Sequence, residues 1–438
     1  MTISVDSKRP DIRANLQFIG LQSAFWLTFF CQNGYSYVLL LSKGYSDGQI
    51  GILLSCQSLA SIISQPLISL YAEKHRSIPL KRIIAIQLVI AIGAVFSLSY
   101  LRTSMLWGAV IFAIIGASFH ASFSLVNAIG MQLQNAGFRV NYGVARGFGS
   151  LVFSIAGIIL GRLVVKSGVN IIIPAFILSA AVMVIVTLTM ITPPALPDEI
   201  PKAVSVRKAY FKGAVQFFIE HRTFTGFCLA TAFLMASHAF INVFIPNIVS
   251  SVGGNEADQG ITRSIAAFVE LPIMVAGGFL MAKFKARKLL IVSAIFFTVK
   301  AIATLFAGSL GLLFAVQILQ IPAYGLLIPA SVIFANEITR EGERVKAQAI
   351  INVVGMGVGY MAGTLLGGAL LDRFATVSVI IASAVFAGLG SIVMILTLVE
   401  KKKNSTQPDH LSADRSLPPN DSGSSSLSEN TLHESSVS

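Results

Sequence analysis

Twelve apolar runs divide this 438-residue chain, each near the roughly 20 residues that a helix needs to cross a bilayer. The first extends from about Leu16 to Leu41. The others cover about 48–72, 83–101, 105–131, 143–164, 169–192, 223–249, 260–282, 289–308, 310–336, 347–370 and 376–399. The apolar residues are consecutive and do not alternate with polar ones, which predicts helices and argues against an outer-membrane barrel. Only 12% of the residues are charged, against about 25% in soluble proteins. A soluble enzyme with a small anchor is therefore excluded. So is a disulfide scaffold: Cys31, Cys56 and Cys228 are few and lie in apolar stretches, where thiols are buried and inert. The predicted fold class is all-α, a polytopic membrane protein of twelve transmembrane helices.

The net charge of +12 would point to nucleic acid in a soluble protein. In a polytopic chain the placement of charge matters more than its sum, and no nucleic-acid partner is expected. One set of loops carries Lys8, Arg9 and Arg13; Lys74, Arg76, Lys81 and Arg82; Arg139; Lys202, Arg207, Lys208, Lys212 and Arg222; Lys283, Lys285, Arg287 and Lys288; Arg340, Arg344 and Lys346; and Lys401, Lys402 and Lys403. The opposite set holds Lys43, Arg102, Arg162, Lys166, Arg263 and Arg373. The positive-inside rule then puts both termini in the cytoplasm, which requires an even number of spans. The first run reads as an uncleaved span.

The segment from 193 to 222 holds Pro193, Pro194, Pro197 and Pro201 and then a basic stretch. It divides the chain into an N-terminal six-helix half (1–192) and a C-terminal one (223–400), with 193–222 as a cytoplasmic central loop. The Ser-rich remainder, 401–438, cannot build a core and predicts a disordered cytoplasmic tail. The halves echo each other. Gln65-Pro66-Leu67-Ile68 followed by Lys81-Arg82 aligns with Leu271-Pro272-Ile273-Met274 followed by Arg287-Lys288 at an offset of 206. Gly137-x-Arg139-Val140 aligns with Gly342-x-Arg344-Val345 at 205. Six spans per half give both halves one orientation, the parallel repeat of a rocking transporter with its site between them.

These features resemble the major facilitator superfamily over about residues 15–400. Tyr142-Gly143-Val144-Ala145-Arg146-Gly147-Phe148-Gly149 is similar to the start of helix 5 in lactose permease and its oligosaccharide–proton symporter relatives. Val269-Glu270-Leu271-Pro272 resembles helix 8 of the sugar efflux transporters and the phenylpropionate permease group. Gln320-Ile321-Pro322 sits where the symporters carry Glu-Val-Pro. Glu73-Lys74-His75-Arg76 takes the place of the superfamily's Gly-rich loop after span 2 and is expected to act as a latch.

Ionisable groups inside a membrane are costly and mark function. Glu270 lies 13 residues before Lys283, and Lys300 lies 12 after Lys288. At 1.5 Å per residue both reach about 18–20 Å deep on neighbouring antiparallel helices. They are expected to pair, either as a static bridge or as a pair remade during transport. Arg146 lies about 10 Å inside by the same rise and either meets a ligand or snorkels to the edge. The resemblance implies substrate binding by Arg146, with Glu270 and Lys300 in sugar binding and proton coupling. It also implies that Phe153 stands where the symporters stack sugar on Trp. No acid faces Arg146 from span 4, where Asn127 stands instead. Gln317 and Gln320 replace the family's His and proton-carrying Glu. An amide cannot titrate, so Glu270, with His238 and His120 as further candidates, is left to carry a proton. Asn242 and Trp26, with Gln22, Gln32, Asn33, Gln57, Gln65, Asn247, Asn352, Tyr35, Tyr37 and Tyr324, complete a neutral, hydrogen-bonding set. Such a set suits a sugar or nucleoside better than a lipophilic cation.

The expected function is secondary active, proton-coupled transport of a sugar or oligosaccharide across the plasma membrane by a monomer. No cofactor and no metal are expected. Uptake of an aromatic acid and sugar export are the alternatives. A multi-span receptor would need sensory domains, which are lacking, and a membrane-embedded enzyme would need a motif such as His-Glu-x-x-His, which is not present.

Overall fold

Helices follow the apolar runs, because in hydrocarbon a helix satisfies its own backbone polar groups. The computed structural model describes residues 12–75, 77–100, 104–192, 218–273, 283–339 and 344–399. In chain order the helices are α1 (Ile12–Asn33), α2 (Asp47–Lys74), α3 (Leu80–Ser97), α4 (Met105–Asn135), α5 (Tyr142–Ser167), α6 (Val169–Thr189), α7 (Arg222–Val243), α8 (Glu256–Val269), α9 (Ala286–Leu305), α10 (Leu310–Ile338), α11 (Asn352–Leu371) and α12 (Val377–Val399). Ten of these regions are long and apolar enough to cross a membrane. α1 and α8 fall outside that set. α1 carries Arg13, Asn15, Gln17, Gln22, Gln32 and Asn33. α8 is 14 residues long, and residues 274–282 of the expected span lie outside the described residues. So do most of the expected central loop (193–217) and the whole expected tail (401–438).

Two regularities were invisible to hydropathy. The first run, expected as one span over 16–41, breaks after Asn33 and resumes as a short helix, Ser36–Ser42. α7 breaks in the same way at Phe244 before Ile245–Ser251. In α4 and α10 the ladder slips into a wide, π-type turn at Gly116–His120 and at Ile321–Gly325. Their starts are 205 residues apart, the offset of the repeated loop segments. In α10 the slip has a direct cause: Pro322 has no N–H to donate. Such turns gather at functional sites.

Buried apolar side chains form two clusters. One is drawn mainly from α1–α6 with Phe240, Val243 and Phe244 of α7; the other comes from α7–α12. Two seams join the first six helices to the last six, α5 against α8 and α2 against α11. Small residues allow the approach. A Cβ on Gly157 would sit 2.9 Å from the Gly260 carbonyl oxygen, and one on Gly51 would sit 2.8 Å from that of Thr364. Hydrogen bonds cross the same end of the bundle. Ser264 Oγ donates to the Ser154 carbonyl (2.6 Å), Tyr35 to the Glu256 carbonyl (2.8 Å) and Gln259 to the Gly34 carbonyl (2.8 Å). Asp372 accepts from the Gly48 N–H (2.9 Å) and the Ser46 hydroxyl (3.2 Å) at the start of α2. That start is fixed by a capping box between Ser46 and Gln49.

The α5–α8 seam makes a direct prediction. In a background where Cys31, Cys56 and Cys228 are replaced by Ser, Ser154→Cys with Ser264→Cys is expected to cross-link under mild oxidation, because the Ser264 side chain already touches the Ser154 backbone and a disulfide forms only between such close neighbours. The yield on denaturing gels checks it; failure to cross-link would place these helix faces apart.

Candidate functional site

α8 ends at Glu270 because Pro272, two residues on, cannot continue the hydrogen-bond ladder. The interruption leaves the carboxylate at a helix end, 7% exposed. α9 brings Lys300 to the same depth, 4% exposed. The expected contact between them is indirect. Gln320 of α10 stands between the two, accepting from the Lys300 ammonium through its oxygen and donating to Glu270 Oε1 through its nitrogen (2.9 Å). An amide is suited to this place because it offers an acceptor and a donor to unlike ends. Gln317, expected beside it, instead donates to the Leu313 carbonyl of its own helix (3.1 Å) and stays out of the chain.

From the other half, Arg146 lies over the Trp26 indole, 3.8 Å from the guanidinium carbon to the ring centre, and donates to Ser150 (2.6 Å). Gly149 makes room: a Cβ there would fall 3.1 Å from the indole Cγ. Arg146 does not snorkel outward; it acts electrostatically on Glu270, as Lys300 does, and on Tyr324. Asn127, expected against Arg146, is held by Gln22 (3.1 Å) and Tyr142 (3.1 Å). Phe153 meets Phe30 edge-on (4.7 Å between ring centres) and Trp26 (6.3 Å). The ring that faces Arg146 is therefore Trp26 from α1, and Phe153 backs it. Gly149→Leu is expected to displace that indole. In a Trp107→Phe background, leaving Trp26 as sole reporter, its emission should move to longer wavelength; an unchanged spectrum would place Trp26 elsewhere.

His238 stacks on Tyr324 (4.6 Å between ring centres, 11° between planes) and contacts the Asn242 amide (3.1 Å). Through Tyr324 it borders the Glu270 cluster. His120 ends the wide turn of α4. Its Nε2 lies 2.8 Å from both Gln57 and Gln32, and those two amides bond each other (2.9 Å). Phe29 and Phe119 flank it.

Arg263 corrects the charge map. The sequence places it in a loop, yet it lies within α8, and its guanidinium donates to the Asn242 carbonyl (2.6 Å). Its Nε is buried with no hydrogen-bond partner. Trp26 Nε1 and Gln22 Oε1 share that condition. A signal for Arg263 was present: it precedes Glu270 by seven residues, which puts both on one face of a helix.

Known proteins resemble most of the chain. The sequence model of the MFS_1 like family matches residues 23–382. A maltose permease of Geobacillus stearothermophilus is 25% identical over 354 residues, covering 80% of this chain and 86% of that protein. An uncharacterized transporter of Bacillus subtilis (strain 168), YwbF, is 23% identical over 387 residues, covering 85% and 91%. Among solved structures, the nucleoside transporter NupG superposes with a TM-score of 0.70 at 17% identity, over 89% of this chain and 100% of that one. A bacterial homolog of the human lysosomal transporter Spinster gives 0.57 at 17%, over 89% and 94%.

Proposed function

The chain belongs to the MFS_1 like family and is a membrane transporter of that type; we propose that it moves a sugar or oligosaccharide together with a proton across the plasma membrane. The observation that carries this reading is the cluster at the meeting of the halves. Arg146 lies over Trp26 and acts electrostatically on Glu270, which Gln320 links to Lys300. An aromatic plane beside a guanidinium and amides is what a hydroxylated ring calls for: the plane covers its C–H face, and the polar groups bond its hydroxyls. The 25% identical maltose permease supports the same solute class.

In this reading Trp26, Arg146, Asn127 and Phe153 shape the solute site from one half. Lys300, Gln320, Gln317, His238 and Asn242 shape it from the other. Glu270 takes up the proton, with His238 as a neighbouring second acceptor. The protein works as a monomer with both termini in the cytoplasm. The α5–α8 and α2–α11 seams seal the outer end, and rocking of the halves about the cluster opens them in turn. Protonating Glu270 and seating the solute both act on the Gln320–Lys300 link, so the two events are coupled in free energy.

The test is uptake into proteoliposomes under an imposed pH gradient. Labelled maltose is offered first, then other sugars, nucleosides and aromatic acids. A sugar is expected to accumulate and to leak out when a protonophore collapses the gradient. Accumulation of a nucleoside or aromatic acid with every sugar ignored would overturn the solute class, and accumulation indifferent to the protonophore would overturn the coupling.

A further inference from the structure

The charges of the central cluster do not balance. Among the described residues, the groups that act on one another there include three cations, Arg146, Arg263 and Lys300, and two carboxylates, Glu270 and, across Tyr35 from Arg263, Glu256. Arg146 and Lys300 both act on Glu270, while Arg263 and Lys300 both act on His238. Their other neighbours include the neutral Gln320, Tyr324, Tyr35 and Tyr360. The next acids along α8 are Asp258 and Glu256, five and seven residues before Arg263 toward the sealed end. One positive charge is thus left over in a place where unpaired charge is costly. The neutral groups do not fully absorb it. Lys300 is met by an amide, and Arg263 by one backbone carbonyl with its Nε unmet.

We propose that the solute is an acidic saccharide, a sugar carrying a carboxylate or phosphate, whose negative charge is received by the cationic set that Arg263 completes. This rests on the sugar reading above and narrows it. Arg263 stands about 10 Å along α8 from Glu270, seven residues at 1.5 Å each. A solute can therefore meet the Arg146–Trp26 platform with its ring and Arg263 with its acid group.

The same imbalance supplies a coupling device. Glu270 is the carboxylate on which Arg146 and Lys300 both act. A solute anion arriving among these cations competes with Glu270 for them and repels its charge. One proton from solution then joins the Glu270 carboxylate, no covalent bond in the solute is made or broken, and the cluster exchanges one anion for another. Binding the anion and binding the proton favour each other by linkage.

The experiment uses the full-length Trp107→Phe protein, in which Trp26 alone reports on the site; Trp107 is 63% exposed, away from the cluster. It is titrated with glucose, maltose, glucuronate, gluconate and glucose 6-phosphate while a pH dye follows protons in weakly buffered solution. An acidic sugar is expected to change Trp26 emission at concentrations at least about tenfold below its neutral counterpart, the ratio that one modest charge contact gives. About one proton should be taken up per protein, as linkage of one anion to one carboxylate requires. Arg263→Gln is expected to erase the acidic preference, and Glu270→Gln to erase proton uptake. A neutral sugar that binds better than every acidic one would overturn the inference and leave sugar transport standing. Silence toward all five sugars, while a nucleoside or aromatic acid changes the emission, would overturn both. Where Arg263→Gln yields no folded protein, the acidic-to-neutral ratio and the proton count on the Trp107→Phe protein decide alone.

Discussion

Glu270→Gln is expected to reduce pH-gradient-driven accumulation to the level of empty vesicles while exchange of solute across the membrane continues. The substitution keeps the shape of the side chain and the oxygen that accepts from Gln320 (2.9 Å). It removes the Glu270 carboxylate and with it the ability to gain a proton at that point, since an amide does not titrate. Exchange needs the solute site to face each side in turn but needs no net proton movement, so it survives. Accumulation needs each solute to arrive with a proton, so it does not. The contrast with Glu270→Leu sharpens the test. Leucine removes the acceptor as well, leaving the Gln320 amide and, through it, the Lys300 ammonium badly paired. Breaking one side of a buried ionic arrangement costs about 3–5 kcal/mol, so this variant should also melt at lower temperature. Paired uptake, exchange and melting measurements separate the two. If Glu270→Gln still accumulates solute against a gradient while His238→Gln does not, the proton travels through His238, and the assignment to Glu270 is wrong.

The helical, polytopic fold was legible because burial in lipid forces long apolar runs, and no other structure satisfies their backbone. Glu270, Lys300 and Arg146 were legible for the complementary reason: a charge in such a run is too expensive to be incidental. What escaped the sequence was how these groups meet. Depth along two helices gives the height of Glu270 and Lys300 but not the lateral placement that sets Gln320 between them. That placement depends on the wide turn at Ile321–Gly325, which rotates the residues before it relative to those after. Hydropathy does not register a turn of this kind, although Pro322 marked the place. Asn127 was expected to serve Arg146 because both lie at similar depth. Tyr142, one turn before Arg146, claims it instead. Arg263 was counted with the loop charges because it lies close to the start of the apolar run at about 260, whereas the helix begins at Glu256 behind its Asn255–Asp258 capping box and holds Arg263 two turns inside. Where polar capping residues precede an apolar run, hydropathy starts the span a turn too late. The seven-residue spacing to Glu270 was the better guide.

Arg146→Ala is expected to weaken solute binding more than any other single change at the site, and Arg146→Lys to restore little of it. The guanidinium has three jobs at once. It lies 3.8 Å over the Trp26 ring, it donates to Ser150 (2.6 Å), and it acts on the Glu270 carboxylate. Removing a hydrogen bond from a charged donor costs about 1.5–3 kcal/mol, which at 1.4 kcal/mol per tenfold is about 10-fold to 100-fold in affinity. Lysine keeps the charge but not the plane. It has neither the flat face that stacks on indole nor the fixed fork that reaches Ser150 and a solute oxygen together. A purely electrostatic role for Arg146 therefore predicts recovery in the Lys variant, and a geometric role predicts none. Trp26 emission in the Trp107→Phe background reads the change directly, because loss of the overlying guanidinium alters the surroundings of the indole before any solute is added. Titration with solute then gives the affinity, and thermal melting of the same samples shows whether the fold has been kept. Near-normal affinity in Arg146→Ala with an intact melt would assign the guanidinium to holding α1 against α5 and remove it from the solute site.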